Sequence, residues 1–578
     1  ADGTQALTLA GNAQLGGAVG AQQALNSLSV SGGSTLNAGS VTTTGDQGYG
    51  GAVTLQGDQV LDAGSGRIVF GSTVDGAQAL TLRSGAGGVR FDHAVGGQTR
   101  LGAVVINTSG ETRLAAPIRA ASLTTDAPGT LVLSGTVDTT GAQSYGEHAV
   151  LAADVVLAGS SITLAGGVDA TTAGGQGATL TGNATLGGAV GAGQALSMLR
   201  INGSTALAGN VSTTGDQTYG GAVTQAGNAT LHSSGGSLAF GGTLDSTAQQ
   251  LSLRADAGSI EVAGNVGGIN APGALVLSAG TQASFNGSVR AASVTQTAGG
   301  GLTRFSGPLT ALGAEGLQLT GHSFAFGDVV TATLGGITLT NTHPSGTVSF
   351  AVNGPVQAAT GFTQTGGASV LLPATITVKA GPINIGAPAS LPAGTASIST
   401  DGGITLRGLS GPSTALTLTA GSGAINAGLA DADPASKVDL GSLAVVSAAS
   451  AQMYGELGGS AGAVVASRVN SALVGAPYFF NKTPWGPIEV IARLTATMVP
   501  LGVVPSTPGV MPLFTGVVDR NGVVPNVLGA YASPQVLTVA PLAPVTSSPA
   551  TLQRQHKDCN AAAQDDSAAP RLTTQQCR

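Results

Sequence analysis

A glycine-rich stretch that occurs twice is the first place where the sequence could support chemistry. It reads VTTTGDQGYGGAVTL from Val41 to Leu55 and VSTTGDQTYGGAVTQ from Val211 to Gln225. A phosphate-binding loop needs a Lys and a Ser or Thr after its last glycine, or a helix that begins beneath the phosphates. Here the strand-like residues AVT follow the glycines, so we interpret the stretch as a corner followed by a strand.

The predicted corners share the frame TTGxQxYG, which occurs three times. We expect the segment GDQGYGG to be a turn between two strands, and each aspartate of the frame to cap a turn through its side chain. We also expect the three tyrosines to pack at the same place on successive parts of the molecule. The corner residues that we predict are Gly45, Asp46, Tyr49, Gly141, Tyr145, Gly215, Asp216 and Tyr219.

The acidic and histidine side chains do not form a recognisable reactive cluster in the sequence. The nearest match to a calcium-binding β-roll, GGQGAT at Gly174, has Thr179 where that motif needs an aspartate. A polysaccharide-active β-helix enzyme would need clustered acids, or Arg and Lys with calcium, on neighbouring coils. We therefore predict no catalytic residue, no metal and no cofactor, and such an enzyme is kept as an alternative function.

The two cysteines, Cys559 and Cys577, lie near the C-terminal end of the sequence. A disulfide between them would contribute about 3 kcal/mol by loop-closure entropy, far from any core that it could stabilise. Zinc would need more ligands than the nearby His556 supplies. An oxidised pair in an exported protein is the interpretation that we prefer.

Long self-similarity determines the predicted architecture. LAGNAQLGGAVGAQQALNSLSV, from Leu9, returns as LTGNATLGGAVGAGQALSMLRI, from Leu180, with a shift of 171 residues. We predict a duplicated unit at about residues 1–171 and 172–342, followed by degenerate coils. Apolar-polar-apolar triplets such as LTL and VTL, separated by Gly, Asn, Asp and Ser, are typical of short strands. The pattern predicts an all-β, right-handed parallel β-helix over residues 1–430, with roughly 20 residues and about three strands per coil.

The composition agrees with such a solenoid. Only 8% of residues are charged and 3% aromatic, whereas 42% are hydrophobic and 93 are glycine. Like charges on stacked strands about 4.8 Å apart repel, and glycine supplies the positive φ that sharp corners need. Lys and Arg form no dense run, so nucleic acid is not an expected partner. The sequence contains no uninterrupted stretch of about 18 apolar residues, so we predict no transmembrane segment.

The composition changes after about residue 430. We predict a cap over residues 431–499, because the open ends of solenoids need covering. Its Ala-rich part is expected to form a short helix or a last irregular coil, and APYFFNKTPWGP forms an aromatic knot that includes the only tryptophan, Trp485. Residues 500–550 are interpreted as a Pro-rich linker, and residues 551–578 as an irregular, cysteine-bounded terminal loop.

The segments GAVGAxQAL, TTGDQxYGGAVT and GGSLAFGGTLDSTAQQLSLRA resemble the glycine-rich repeats of filamentous-haemagglutinin-like large exoproteins. Gram-negative bacteria export this family by two-partner secretion. AQMYGELGGSAGAVVAS and PYFFN resemble the C-terminal region of such exoproteins, so the similarity covers about residues 1–490. Because the chain begins within a repeat, we expect it to be the C-terminal portion of a longer exoprotein.

The resemblance implies a right-handed β-helix and a secreted or outer-membrane-associated adhesin. Its expected partners are an outer-membrane two-partner secretion transporter and a receptor on a host cell or in a matrix. The resemblance also implies that Cys559 and Cys577 form a loop that tethers the protein to its transporter. A purely structural fibre of a biofilm matrix is a third possible function.

Overall fold

The computed structural model describes residues 3–429, 433–453, 455–457, 464–466, 479–483 and 486–490. These residues form an all-β parallel solenoid of about 20 turns. The only helical element among them is a single 3₁₀ turn at Pro434–Ser436. The predicted parallel β-helix is therefore confirmed, whereas the predicted Pro-rich linker and terminal loop lie outside the described residues.

Each coil contributes short strands to three parallel sheets, which we call sheets 1, 2 and 3 in chain order. In the third coil these strands are Gln47–Tyr49, Val53–Leu55 and Gln59–Asp62. Each strand pairs in parallel with the strand one coil further along, as Tyr49 pairs with Phe70. Every backbone N–H and C=O of a central strand can thus be used in coil-to-coil hydrogen bonds.

Sheet 1 contains Ala6–Leu9, Ser27–Val30, Gln47–Tyr49, Ile68–Phe70, Val89–Phe91, Glu111–Leu114, Thr130–Leu133, His148–Leu151, Val168–Ala170, Val211–Thr213, Ala229–Ser233, Leu251–Ala255, Ala274–Ala279, Ser293–Gly299, Leu317–Gly321, Ile337–Asn341, Phe362–Thr365, Ala424–Ala427 and Ser450–Met453. Sheet 2 contains Ala13–Leu15, Ser34–Leu36, Val53–Leu55, Val74–Asp75, Val137–Thr139, Leu199–Ile201, Gln217–Tyr219, Leu238–Phe240, Ile260–Val262, Ala283–Phe285, Leu302–Phe305, Ser323–Phe326, Thr347–Phe350, Ser369–Leu371 and Gly455–Leu457. Sheet 3 contains Ser40–Thr42, Gln59–Asp62, Leu80–Ser84, Leu101–Thr108, Gln143–Tyr145, Thr205–Leu207, Val223–Gln225, Leu244–Ser246, Val289–Ala291, Leu309–Ala311, Val330–Ala332, Val356–Ala358, Thr375–Val378, Gly394–Ser399 and Val464–Ala466. Longer strands run through corners at Ile118–Thr125, Val155–Leu164, Ala178–Leu186, Ile383–Ser390, Ile404–Thr419 and Val438–Ser447.

The core fills the space enclosed by the three sheets. Alternate residues of each strand point inward, so Leu80 and Leu82 are buried while Thr81 between them reaches the surface. Aromatic rings stack along the core, with centroids 5.3 Å apart between Tyr49 and Phe70 and 4.7 Å apart between Phe70 and Phe91. Such stacked pairs add about 0.5–1.5 kcal/mol each beyond the area that they bury.

Many corner glycines are required for a different reason from the one that the sequence suggested. Positive φ does occur, for example at Gly96 and Gly191. Many corner glycines, however, have an ordinary φ and touch the coil beneath. A β-carbon on Gly221 would lie 2.7 Å from the carbonyl carbon of Gly203, and one on Gly242 would lie 2.5 Å from that of Gly221. The prediction that glycine mainly supplies positive φ is therefore incomplete, because close approach of successive coils also excludes larger residues.

The second copy of the duplicated unit is turned by one sheet relative to the first. Tyr49 lies in sheet 1, which continues through paired Val168, Val190 and Val211. Val211 is the counterpart of Val41, yet Val41 belongs to sheet 3. Tyr219, the counterpart of Tyr49, lies in sheet 2. Equivalent residues of the two copies therefore lie on different sheets, about a third of a turn apart.

The stack of coils does not end at the predicted boundary near residue 430. Val438–Ser447 pairs in parallel with Ile404–Thr419, and Val464–Ala466 pairs in turn with Val438–Ser447. The described part of the Ala-rich stretch is thus further coil, which was one of the two predicted outcomes. Phe479–Thr483 and Gly486–Val490 form an antiparallel pair within the predicted cap, while Trp485 lies outside the described residues. No helix in the described part of the chain is long and apolar enough to cross a membrane.

Candidate functional site

The repeated corner frame forms a buried network of hydrogen bonds around a glutamine side chain. The Gln217 Nε2 donates to the backbone oxygen of His232 at 2.8 Å and to Thr213 Oγ1 at 3.3 Å. The Tyr219 hydroxyl donates to Gln217 Oε1 at 3.0 Å, and Thr213 Oγ1 donates to the backbone oxygen of Gly215 at 2.6 Å. Both polar atoms of the glutamine side chain thus have partners, in the corner itself or in the next coil.

The same network occurs in the other two copies of the frame. The tyrosine hydroxyl donates to the glutamine Oε1 at 3.1 Å for Tyr49 and at 2.8 Å for Tyr145. In both copies the glutamine Nε2 lies 3.2 Å from the threonine Oγ1. It also reaches a backbone oxygen of the next coil, that of Asp62 at 2.8 Å in one copy and that of Ala158 at 2.7 Å in the other.

The three copies occupy the three different corners of the solenoid. Residues 43–49 join sheet 3 to sheet 1, residues 139–145 join sheet 2 to sheet 3, and residues 213–219 join sheet 1 to sheet 2. The prediction that the three tyrosines pack at the same place is therefore wrong. They share a corner structure but lie on different sheets, because the network needs only the side chains of the frame and a backbone oxygen of the next coil, which every corner offers.

The segment predicted to be a turn contains a strand. Gln47–Tyr49, Gln143–Tyr145 and Gln217–Tyr219 are strands, so the tyrosines are core residues rather than corner residues. The corner itself lies just before each strand, at Gly45, Gly141 and Gly215. Three signals in the sequence could have identified a strand here. They are the tyrosine itself, the Gln–x–Tyr spacing and the period-two alternation of buried and exposed residues.

Asp46 and Asp216 accept backbone hydrogen bonds from the next coil, and not from their own turns as predicted. The Oδ1 atom of Asp46 accepts from Arg67 N, and that of Asp216 accepts from Ser237 N, each at 2.8 Å. The third copy has Ala142 at this position. The two aspartates therefore join successive coils, a role that does not require catalytic chemistry.

Burial determines the protonation of the tyrosines in this network. Desolvation raises the pKa of Tyr49, Tyr145 and Tyr219 well above the ordinary value. Their hydroxyls consequently remain protonated donors to the glutamines. All three side chains are enclosed. The network is thus a structural corner and offers no surface to a substrate.

Four loops project from the corners and form the most regular exposed feature of the duplicated region. They comprise residues 20–24, 96–100, 191–195 and 267–271, and each begins with a glycine whose φ lies between 67° and 71°. The first and last loops connect sheet 3 to sheet 1. The second connects sheet 2 to sheet 3, and the third connects sheet 1 to sheet 2. The loops therefore point away from all three corners.

An aspartate of the preceding coil holds three of these loops. The Oδ1 atom of Asp75 accepts from Gln98 N at 2.8 Å, and that of Asp169 accepts from Gly193 N at 2.9 Å. Asp245 Oδ1 accepts from Ile269 N at 2.9 Å and from Asn270 N at 3.2 Å. Charge-assisted bonds of this kind hold the loop backbone in one conformation. Ile269, which is 81% exposed, lies at the tip of the fourth loop.

Replacing Asp245 with alanine should loosen the fourth loop without unfolding the coils. Two backbone N–H groups would lose a charged acceptor, a loss of about 1.5–3 kcal/mol per bond. Hydrogen exchange at the amides of Ile269 and Asn270 is expected to accelerate, while Asp245→Asn, which keeps an acceptor oxygen, should change it little. Equal exchange in all three proteins would show that the aspartate does not hold the loop.

Ion pairs are distributed over the surface instead of converging at one site. Arg100 Nη2 lies 2.6 Å from Asp138 Oδ2, and His232 Nε2 lies 2.9 Å from Asp256 Oδ2. The hydrogen bond from Arg254 lowers the pKa of the Asp256 carboxyl, with a further contribution from His232. Among the residues that the structure describes, no three His, Cys, Asp or Glu side chains are grouped so that they could hold a metal ion.

Cys559 and Cys577, the predicted tether, lie outside the described residues, so their pairing stays a prediction. Comparisons with known proteins add no further assignment. No protein-family model, no curated protein and no solved structure matches this chain.

Proposed function

We propose that the chain is the stalk of a bacterial adhesin, secreted or tethered at the cell surface and exported by two-partner secretion. In this proposal the loops at the corners contact the receptor, and the coils extend them from the cell. The transporter in the outer membrane is the expected partner during export. The sequence resemblance and the geometry of the solenoid support this function together.

The dimensions and surface of the coils suit a stalk. With about 20 turns and roughly 4.8 Å per coil, the stack would extend on the order of 100 Å. Small hydroxyl side chains cover much of its surface. On sheet 3, for example, the paired outward residues include Thr124, Ser144, Thr163 and Thr185. Such a surface carries little charge and favours an extended support.

The observation that carries the proposal is a repeated loop that occurs at each of the three corner positions of the solenoid and is held, in three of its four copies, by an aspartate of the preceding coil. Loops that carry binding residues are commonly held by a rigid scaffold, and preorganisation reduces the entropy lost on binding. Because the second copy of the unit is turned by one sheet, the third loop projects from a different corner than its counterpart, the first loop. The fourth loop likewise projects from a different corner than the second. In a stalk built in this way, each of the three sides that could face a receptor has a loop beside it.

Adhesion can be measured with bacteria that display the full chain together with its transporter. We expect them to bind host cells or extracellular matrix more strongly than bacteria without the chain. Replacing the tips of all four loops with Gly and Ser should reduce this binding at least about tenfold, whereas Thr163→Ser on the flat surface of sheet 3 should leave it unchanged. Undiminished binding by the loop variant would overturn the assignment to the loops.

The proposed tether predicts where the protein is found after export. Deleting residues 551–578, or replacing both Cys559 and Cys577 with serine, should shift the protein from the cell surface into the medium. Quantitative blotting of cell and medium fractions measures this shift. Ser567→Ala, which changes the same segment but keeps both cysteines, is the matched control and should stay on the surface. Unchanged surface retention of the deletion and the cysteine variant would refute the tether, and retention without adhesion would favour a matrix fibre.

A further inference from the structure

Glu147 is a buried carboxyl group that breaks the pattern of the corner frame. It follows the glycine after Tyr145, at the position that Gly51 and Gly221 occupy in the other two copies. Its side chain is 0% exposed. One carboxylate oxygen, Oε1, accepts a hydrogen bond of 2.9 Å from Thr112 Oγ1. The other oxygen, Oε2, is buried and has no hydrogen-bond partner among the described residues.

The course of the preceding coil distinguishes this corner from the other two. A β-carbon on Gly51 would lie 2.4 Å from the backbone carbonyl carbon of Gly32, which leaves no room for a side chain. The coil beneath Gly51 turns through residues 31–33, between Ser27–Val30 and Ser34–Leu36. The coil beneath Glu147 turns through one residue more, 126–129. The longer turn accommodates the glutamate, whose side chain extends inward to reach Thr112.

Among the described residues, none supplies a positive charge to the Glu147 carboxylate. On the strands packed against it, Glu111, Arg113 and His148 project outward, and His148 Nε2 pairs with Asp169 Oδ2 at 3.1 Å. The neighbouring Tyr145 is neutral. An ionised carboxylate enclosed without a charged partner is costly in free energy.

The same environment favours the protonated acid. Burial raises the pKa of Glu147, and the negative charge of Asp126 adds to the rise. The hydroxyls of Thr125 and Thr112 act in the opposite direction. Thr125 favours the ionised form of Glu147 by its proximity alone, because Thr125 Oγ1 forms no hydrogen bond within the described residues. The net effect is a proton held more tightly in the folded chain than in the unfolded one.

We propose that the corner at Glu147 is a proton-dependent joint of the solenoid, closed while the buried carboxyl is protonated and opening locally when it ionises. Below the ordinary carboxyl pKa, the folded and the unfolded chain are both protonated, so the corner keeps its full stability. That stability is lost as the pH rises through the raised pKa of the folded state. The stalk would thus be most rigid in acidic surroundings and would gain local mobility in neutral ones.

Hydrogen exchange of the full chain, corrected for the intrinsic pH dependence of exchange, tests the proposal. Between about pH 4 and pH 7.5, protection of Glu111–Leu114, Thr130–Leu133 and His148–Leu151 should fall severalfold, because the carboxyl ionises at a higher pH in the folded chain than in the unfolded one. Gln217–Tyr219, in the copy of the frame that has Gly221 in place of Glu147, should show no such loss. Equal pH dependence at the two corners would contradict the proposal.

Variants assign the effect to the carboxyl. Glu147→Gln should remove the pH dependence and keep the protection that the unmodified chain shows in acid. Glu111→Gln, which changes an exposed acid on an adjacent strand, should retain the pH dependence. His148→Asn separates a contribution of that imidazole, and its pH dependence should match that of the unmodified chain. Loss of the pH dependence in His148→Asn or Glu111→Gln would overturn the proposal. If Glu147→Gln does not fold, the same comparison uses Glu147→Gly, which restores the residue of the other two copies.

Discussion

Replacing Gln217 with leucine is expected to lower the local free energy of unfolding by about 3 kcal/mol. Leucine fills a similar volume but removes the acceptor of the Tyr219 hydroxyl and the donor to the backbone oxygen of His232. Each buried polar group that loses its partner costs about 1–3 kcal/mol. Exchange of the amides of Gln217–Tyr219 and the urea midpoint of local unfolding measure the loss.

A matched control and a double variant separate the network from simple packing. Gln357→Leu changes an exposed, outward-facing glutamine in Val356–Ala358 of sheet 3 and should stay within about 0.5 kcal/mol. Adding Tyr219→Phe to Gln217→Leu should recover part of the loss, because it removes the unpaired hydroxyl. If the double variant loses as much as the sum of the two single changes, the hydroxyl and the amide are not coupled.

Replacing Gly242 with alanine is expected to destabilise its corner by about 1–3 kcal/mol, the usual cost of overpacking. The new β-carbon would lie 2.5 Å from the carbonyl carbon of Gly221 and 2.6 Å from Ala222 N. Both atoms belong to the backbone of the previous coil, which cannot move aside without breaking its own hydrogen bonds. Hydrogen exchange along Leu238–Phe240 and Leu244–Ser246 should show the loss on both sides of the corner.

Gly71 provides the control for this substitution. It also lies directly after a strand, Ile68–Phe70, but a β-carbon placed there would come no nearer than 3.6 Å to the previous coil, and its φ is not positive. Gly71→Ala should therefore be neutral or slightly stabilising, because alanine restricts the unfolded chain more than glycine does. A similar loss in both variants would mean that chain flexibility, and not contact between coils, makes glycine necessary at Gly242.

The sequence was sufficient to predict the fold because its signals are local and repeated. Triplets such as VTL in Val53–Leu55 alternate between core and surface, and corner residues separate them at short intervals. A single strand of this length would be ambiguous, but its recurrence over hundreds of residues is not. The low content of charge pointed to the same architecture, since stacked strands place like side chains next to each other.

The position of each residue around the coil could not be predicted in the same way. Tyr49 and Tyr219 have nearly identical neighbours in the sequence, yet they lie on different sheets. Their sheet depends on how many strands lie between them, and at Ile118–Thr125 the chain passes through a corner without a break in the strand. Glu147 was missed as well. Its residue type was visible, but the longer turn that accommodates it becomes apparent only when coils are placed on each other.

The turned duplicate shows how such a molecule can lengthen. An inserted segment fits as soon as it contains a whole number of strands, because the corner frame works between any two of the three sheets. Growth can then proceed in steps of one strand, about a third of a coil or roughly 1.6 Å of length. Each such step also rotates everything that follows by about 120°. A duplication or deletion in evolution would thus redirect distal corner loops to another side while the sequence of those loops stays the same.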